Sequence, residues 1–552
     1  MRDRTEANKL TLKVYAGTTG VLLAMNIDDS IREDFLGFAI KRTSYKRNGQ
    51  AVEKWLQGLL RFPGTKGKKL TPINTNEAPI QKFRWSDYCV YPDSDYIYEL
   101  HRVSGDYKNP TVTPGPSVKI HTESMNGPHH QVVFNRAVAA SQAYQRRFAG
   151  INPQDPYLHP TFKKVAMIWL ARGVDMKMKE FINRAKDDKW ALDFAAFQIE
   201  LDWVADELKK ARDRGVDLRI LYHATKNRNT QTQKNELCLK DFDDTIKQPR
   251  ITYNLFHQKI IVLSKKEGDP PKNQPVAVLT GSTNFTHNGV YRQANVVHVI
   301  NDKTLAREYH NYFNDMWGVY RTEVGKVRNH IEDTDAIVQL NNPPEYQVVF
   351  SPRKTAGDRS EVIRIIKQAK KNVISCTAYD LHPTILEALT PSGNDKVIRY
   401  GLQDKESDIT GVHRRGTFVT PAYLEEGFES FVKESFAKQK GNIYIHLKTI
   451  LCDFNTRDPW IITGSNNFSN ASSEDNDENM IIIRGDTNVA DIYLCEMMRL
   501  YDHYRFRWNR KRRLLVTTHG RLKLHKSSKW TNDYFDDEKL EYHERMQFSA
   551  KD

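Results

Sequence analysis

Cysteine is scarce. Cys89, Cys238, Cys376, Cys452 and Cys495 are scattered over 552 residues and form no CxxC pair. That spacing argues against a zinc site, and an odd, sparse count suits a reducing compartment. Long apolar runs are missing too. No stretch reaches the roughly 18 apolar residues needed to span a bilayer, and the opening MRDRTEANKL lacks an apolar signal core. A soluble, cytoplasmic protein is expected, with only peripheral membrane contact. Acid is in deficit: 83 Lys and Arg face 69 Asp and Glu, a net charge of +14. Such a balance favours polyanionic partners, nucleic acid or an anionic phospholipid surface. The 39% hydrophobic content can bury a core, which excludes wholesale disorder.

Residues 1–128 read as β-rich. Short runs recur at Leu10 to Tyr15, Val21 to Met25, Tyr88 to Tyr91, Tyr96 to Leu100 and Val118 to His121, punctuated by Gly, Pro, Asp and Asn. An immunoglobulin- or fibronectin-like sandwich is expected. From about residue 129 the chain repeats itself. Gln131-Val132-Val133-Phe134-Asn135-Arg136 is echoed by Gln347-Val348-Val349-Phe350-Ser351-Pro352-Arg353. Helical patterns follow at Met176 to Ala185 and Ser360 to Ala369, then apolar strands at Trp190 to Phe197 and Val373 to Tyr379. In the first copy a helix over Ile199 to Arg214 leads to a strand at Asp217 to Tyr222. The expected architecture is α/β: two similar α/β/α lobes, 129–341 and 342–512, related by a pseudo-twofold axis. A tail, 513–552, should pack on the lobes.

Charge is uneven. Residues 41–70 hold nine Lys or Arg and one acid, and residues 499–530 hold eleven and one, with Phe506, Trp508 and Trp530 interleaved. Basic and aromatic residues together suit a groove that tracks a phosphate backbone. They equally suit a helix packing on its own domain, or a solvated loop face.

Each half carries His-x-Lys followed by Gly-Ser-x-Asn. The first has His257, Lys259, Gly281, Ser282 and Asn284; the second has His446, Lys448, Gly464, Ser465 and Asn467. Gly-Ser occurs nowhere else, and both copies continue Phe-Thr or Phe-Ser, at Thr286 and Ser469. The apolar runs Leu255 to Leu263 and Ile443 to Leu451 read as buried strands, so residues i and i+2 share a face. A buried, unpaired Lys costs several kcal/mol, so an anion should meet it. Two His and two Lys at one point suit a phosphodiester. The ammonium groups neutralise non-bridging oxygens, and Ser282, Ser465, Asn284 and Asn467 donate to them. One neutral imidazole attacks phosphorus and the other protonates the leaving oxygen. No acidic cluster lies near these motifs, so no metal and no cofactor is expected.

These residues resemble the phospholipase D superfamily, whose signature is H-x-K-x4-D, then G-S-x-N, then an acidic residue about ten positions on. The second half matches in full, with Asp453 and Glu478. In the first, Ser264 stands where Asp is expected and Gln293 near where Glu would be. The resemblance implies two α/β/α lobes with the site at their junction, a phosphohistidine and no metal. It further implies that Glu478 orients and charges His446, the general acid, while Gln293 orients an uncharged His257, the nucleophile. Both motifs lie in one chain, so a complete site needs no oligomer.

Three functions remain open: a nuclease on DNA or RNA, a phospholipase D-type hydrolase or transphosphatidylase, and an inactive nucleic-acid-binding scaffold. Net charge and the basic stretches place the nuclease first.

Overall fold

Alternating apolar residues over 10–27 build the first sheet. The computed structural model describes residues 1–552 except 66–70, 137–141, 154, 156, 252–253, 318–330, 333–335, 394, 407–409, 414–415, 422–443 and 512–522. One four-stranded antiparallel sheet runs Arg2–Ala7, Leu10–Ala16, Val21–Ile27, Arg84–Asp87; a second runs Thr111–His121, Asp95–Ser104, Phe35–Tyr45, Ala51–Trp55. Leu12, Val14 and Leu23 of the first share a buried core with Phe38, Tyr98 and Ile120 of the second. The strand expected at Tyr88 to Tyr91 is instead Arg84–Asp87. The Asp87 carboxylate ends it by accepting from the Cys89 amide at 2.9 Å and from Arg42 at 2.6 Å, which turns the chain.

The repeat becomes two sheets of matching order. The first is His130–Phe134, Val296–Ile300, Lys272–Gly281, Lys259–Glu267, Trp190–Ala196, Asp217–Ala224, Lys247–Ile251. The second is Glu345–Ser351, Glu478–Arg484, Trp460–Gly464, Thr449–Cys452, Asn372–Thr377, Ile398–Gln403, Gly416–Val419, with Gly411–His413 added at its edge. In both, the central pair Trp190–Ala196/Asp217–Ala224 or Asn372–Thr377/Ile398–Gln403 is parallel, and the strands on the other side are antiparallel. The helix after Trp190–Ala196 starts at Asp202, not Ile199. Ile199 bridges Phe285 and the Glu200 amide donates to the Phe285 carbonyl, which keeps those residues extended.

A 25-residue helix, Thr487–Lys511, ties the parts together. It meets the N-terminal sheets through Arg2 to Asp491 at 2.6 Å and lobe 1 through Arg172 to Glu496 at 2.8 Å. Tyr501 packs on Tyr400 of lobe 2. Trp508 is buried, and Trp530 packs against Phe35 and Phe83. Those two indoles are thus packing residues, not a stacking platform. Arg42 is likewise buried against Asp87, so it is no part of a binding patch. Residues 66–70 and 512–522 of the two basic stretches lie outside the described residues. The tail reaches lobe 2, where Phe548 meets Phe454, but it lies as much on the N-terminal sheets, where Tyr15 Oη donates to the Phe548 carbonyl at 2.8 Å. Among the described residues no helix is long and apolar enough to cross a membrane.

Candidate active site

Each catalytic-type histidine lies in the seam between the lobes, just ahead of its strand. Phe256 bridges Asp477 and Ala294 bridges Ile445, both in parallel register. The His257 amide donates to the Asp477 carbonyl at 2.9 Å, and the His446 amide to the Ala294 carbonyl at 3.0 Å. The contacts are reciprocal, as a twofold relation requires. The strands begin only at Lys259 and Thr449, so each His-x-Lys straddles the step from the foreign lobe to its own sheet. His257, Lys259, His446 and Lys448 are at most 3% exposed. Lys259 Nζ donates to the His257 carbonyl and Lys448 Nζ to the His446 carbonyl, both at 2.7 Å. Lys259 also lies 5.3 Å from the Phe197 ring centre and Lys448 5.8 Å from that of Tyr379.

The orienting groups differ from expectation. Glu478 holds His257, not His446: Nδ1 is 2.8 Å from Oε2. The His446 Nδ1 meets the Ser282 carbonyl at 3.0 Å and Asn295 Oδ1 at 2.9 Å. A carbonyl accepts only, so this nitrogen carries the proton and Nε2 is left for chemistry. Gln293 orients neither ring; its backbone carbonyl accepts from Asn135 Nδ2 at 2.6 Å. The sequence held the signal: Asn295 stands thirteen places after Ser282, as Glu478 does after Ser465. Each lobe's downstream residue turns toward the other lobe's histidine because the bridges cross the seam.

The Gly-Ser-x-Asn loops are shaped by close backbone approach. Gly281 has φ +132° and Gly464 φ +151°, and an added Cβ would sit 2.3 Å from the Val296 carbonyl or 2.4 Å from that of Asn479. Ser282 and Ser465, expected to donate to phosphate, are spent on the next strand. Ser282 Oγ donates to Asn295 Oδ1 and accepts from the Val296 amide; Ser465 Oγ accepts from the Asn479 amide at 3.0 Å. Asn284 donates to Gln198 Oε1 at 2.9 Å, whereas the Asn467 side chain meets no partner among the described residues. Thr286 and Ser469 cap short helices through the amides of Gly289 and Ser472. Asp453 does not face the site. It lies past the far end of the strand that Lys448 leads into and accepts from the amides of Lys370, Lys371 and Asn372. Ser264 in its place therefore leaves the chemistry of lobe 1 untouched.

Burial dominates the electrostatics. It pushes His257 and His446 well below the usual imidazole range, helped by both lysines acting on each ring. Such mutual influence requires the four groups to be neighbours. Burial also lowers Lys259 well below its ordinary value and Lys448 to about 7. It raises Glu478 to about 7, against the pull of Lys259 and hydrogen bonds from Asn476 and Ser472. An anion entering this pocket favours both ammonium groups.

The sequence profile described as "Cardiolipin synthase, PLD-like domain" matches residues 178–317 and 362–501, just over half of the chain. The chain belongs to the phospholipase D-like family. No curated protein matches it significantly. Among solved structures, phosphatidylserine synthase from Haemophilus influenzae matches at 14% identity over 60% of this chain and 85% of that one, TM-score 0.42. Nuc, a phospholipase D family member of Salmonella typhimurium, is 21% identical over 30% of this chain and 94% of its own, TM-score 0.20. Yeast tyrosyl-DNA phosphodiesterase is 11% identical over 56% and 87%, TM-score 0.32.

Two further residues line the phospholipase D-like site without any motif to announce them. Tyr222 pairs with Ala196 and Gln403 with Thr377, so His223 and Asp404 are the next residues on matching strands. Both grip the amide that precedes the histidine: Phe256 N donates to His223 Nδ1 at 3.2 Å, Ile445 N to Asp404 Oδ1 at 2.8 Å. Burial, with Lys259, lowers His223 to about 4, and burial raises Asp404 to about 6. The Asp404 charge supports Lys448; lobe 1 places a neutral ring there instead.

Proposed function

We propose that the protein is a metal-independent phosphodiesterase that cleaves through a phosphohistidine, and that its substrate is DNA or RNA. The observation that carries the reading is the convergence of both imidazoles and both ammonium groups on one buried seam. His257 Nε2 attacks phosphorus while its Nδ1–H leans on Glu478, which stabilises the cationic phosphoimidazole. His446, held by neutral acceptors only, is the stronger acid when protonated, so it gives its proton to the leaving oxygen as the P–O bond breaks. It then takes a proton from water, whose oxygen displaces His257 and releases the phosphomonoester. Lys259, Lys448 and Asn467 meet the non-bridging oxygens, and the lysines supply positive charge that a metal would otherwise bring. The net charge of +14 favours a nucleic acid over a neutral lipid surface. The N-terminal β-rich domain, read as immunoglobulin- or fibronectin-like, serves as a docking module, and the protein works in the cytoplasm.

The test is cleavage in EDTA of single- and double-stranded DNA, RNA and phosphatidylcholine vesicles side by side. EDTA-resistant cleavage of a nucleic acid, lost at high salt and in His257→Ala, supports the reading. Headgroup release with intact nucleic acid replaces the substrate by lipid. Binding without any cleavage replaces the enzyme by a scaffold.

A further inference from the structure

Beside the seam lies a second basic cluster that the chemistry above does not use. Arg136, Arg172 and Arg499 meet there around one carboxylate, Glu496. Arg172 reaches Glu496 at 2.8 Å, and Arg499 Nε reaches it at 3.0 Å. Burial opposes its charge, yet Arg172 and Arg499 hold Glu496 at about 2. The same two guanidinium groups clamp the chain after the first strand of lobe 1. Arg172 donates to the carbonyls of Phe134 at 2.9 Å and Asn135 at 3.1 Å, and Arg499 to that of Arg136 at 3.0 Å.

Arg136 is left over. It is half-buried, lies with its guanidinium carbon 4.4 Å from the Trp169 ring centre, and uses Nε on the Trp169 carbonyl at 3.3 Å. Among the described residues no carboxylate meets it, and its two Nη groups have no acceptor. Burial and the neighbouring Arg172 and Arg499 push it down to about 10. Three guanidinium groups against one carboxylate in a partly dry place call for an anion. A planar fork with free Nη groups suits phosphate oxygens.

The place of this cluster narrows which phosphate. Asn135, the preceding residue, accepts from the Asn295 amide at 2.9 Å, and Asn295 Oδ1 meets His446. Arg136 thus leaves the sheet at the same end as the catalytic groups. Three strand steps, His130–Phe134 to Val296–Ile300 to Lys272–Gly281 to Lys259–Glu267, separate it from Lys259. At about 4.8 Å per step that is roughly 14 Å, room for a neighbouring phosphate of an extended strand. A single-headgroup lipid has no second phosphodiester to place there.

We propose that Arg136, backed by Arg172 and Arg499, is a flanking subsite that binds a second phosphate of a polynucleotide whose scissile phosphate sits between His257 and His446. The inference rests on the nuclease reading and adds to it a polymer substrate with a defined second contact.

The experiment is steady-state cleavage of a labelled single-stranded 20-nucleotide DNA by the full-length protein, its Arg136→Gln variant and its Arg136→Lys variant, each across a salt series. Losing one phosphate contact should raise KM about fivefold to tenfold, leave kcat within twofold and flatten the salt slope by about one. Arg136→Lys, which keeps a cation, should retain most of that slope. Parent-like KM and salt slope in Arg136→Gln overturn the subsite while the nuclease reading stands. A fall in kcat with KM and slope unchanged also overturns it, since that marks structural damage. If the parent spares the DNA and releases headgroup from vesicles, the nuclease reading fails first, and the subsite with it.

Discussion

At the residue scale the two halves of the site are alike in plan and unlike in charge. Glu478 backs His257, Asn295 backs His446, Asp404 supports Lys448, and His223 occupies the matching place beside Lys259. Glu478→Gln should cut kcat by about 10²- to 10³-fold with KM little changed, because it removes the charge that stabilises the phosphoimidazole; single-turnover kinetics check this, and a parent-like kcat refutes it. A second expectation concerns pH. Lys448 has its proton affinity depressed to about 7, so it is charged below that pH and neutral above it. If it grips phosphate, kcat/KM falls as pH rises through about 7. Its neighbours are Glu478, Asp404 and Cys376, which favour the charge, and Lys259 across the seam, the second ammonium group, which opposes it. Asp404→Asn keeps an acceptor for the Tyr444 and Ile445 amides but removes a charge, so the alkaline limb should move down by roughly half a unit to one unit. A pH profile with an unmoved limb contradicts the role given to Asp404.

At the scale of elements, the strands carry information the motifs alone do not. Gly464 is fixed by the strand Glu478–Arg484 paired beside it: a Cβ there would sit 2.4 Å from the Asn479 carbonyl. Gly464→Ala should cost at least about 2 kcal/mol in urea unfolding; an unchanged midpoint would mean that the neighbouring strand gives way. Much of this layer was legible. His257, Lys259, His446 and Lys448 stood out because a short spacing recurred with the same followers, and the duplicated α/β lobes followed from the echo at Gln131 and Gln347. The partners of the two histidines were not legible from spacing within one half. They depend on parallel bridges between residues about 150 to 220 positions apart, Ala294 with Ile445 and Phe256 with Asp477. Asp453 and the motif serines misled for a related reason: they follow the signature faithfully, yet serve backbone amides rather than substrate. His223 and Asp404 gave no signal, because strand pairing sets their equivalence and no shared residue type marks it.

At the scale of the whole molecule, the helix Thr487–Lys511 makes one body of the N-terminal sheets, the two lobes and the tail. Arg84 of the N-terminal sheets reaches Asp502 of that helix and Glu544 of the tail, and it is 7% exposed. Arg84→Ala leaves those carboxylates short of a partner and should cost about 2 to 4 kcal/mol. Unfolding should remain a single transition at a lower urea midpoint. An unchanged midpoint would show the domains to be loosely joined. The charge pattern also has to be read at this scale. Trp508 and Arg42, which looked like groove residues in the sequence, are buried, and Trp530 is half-buried against Phe35 and Phe83, whereas Arg136, named in the sequence only as part of a repeat, meets no carboxylate among the described residues.

The central claim is that one imidazole attacks phosphorus while the other, across the seam, serves the leaving group. The most direct measurement is peptide mass spectrometry, at alkaline pH, of the full-length His446→Asn variant quenched in alkaline denaturant after incubation with DNA in EDTA, because the N–P bond of a phosphohistidine is acid-labile. The account predicts an adduct of phosphate still esterified to one DNA fragment on the peptide holding His257, and none when His257 is also replaced. An adduct on any other residue, or cleavage by the doubly substituted protein at the parent rate, would contradict it.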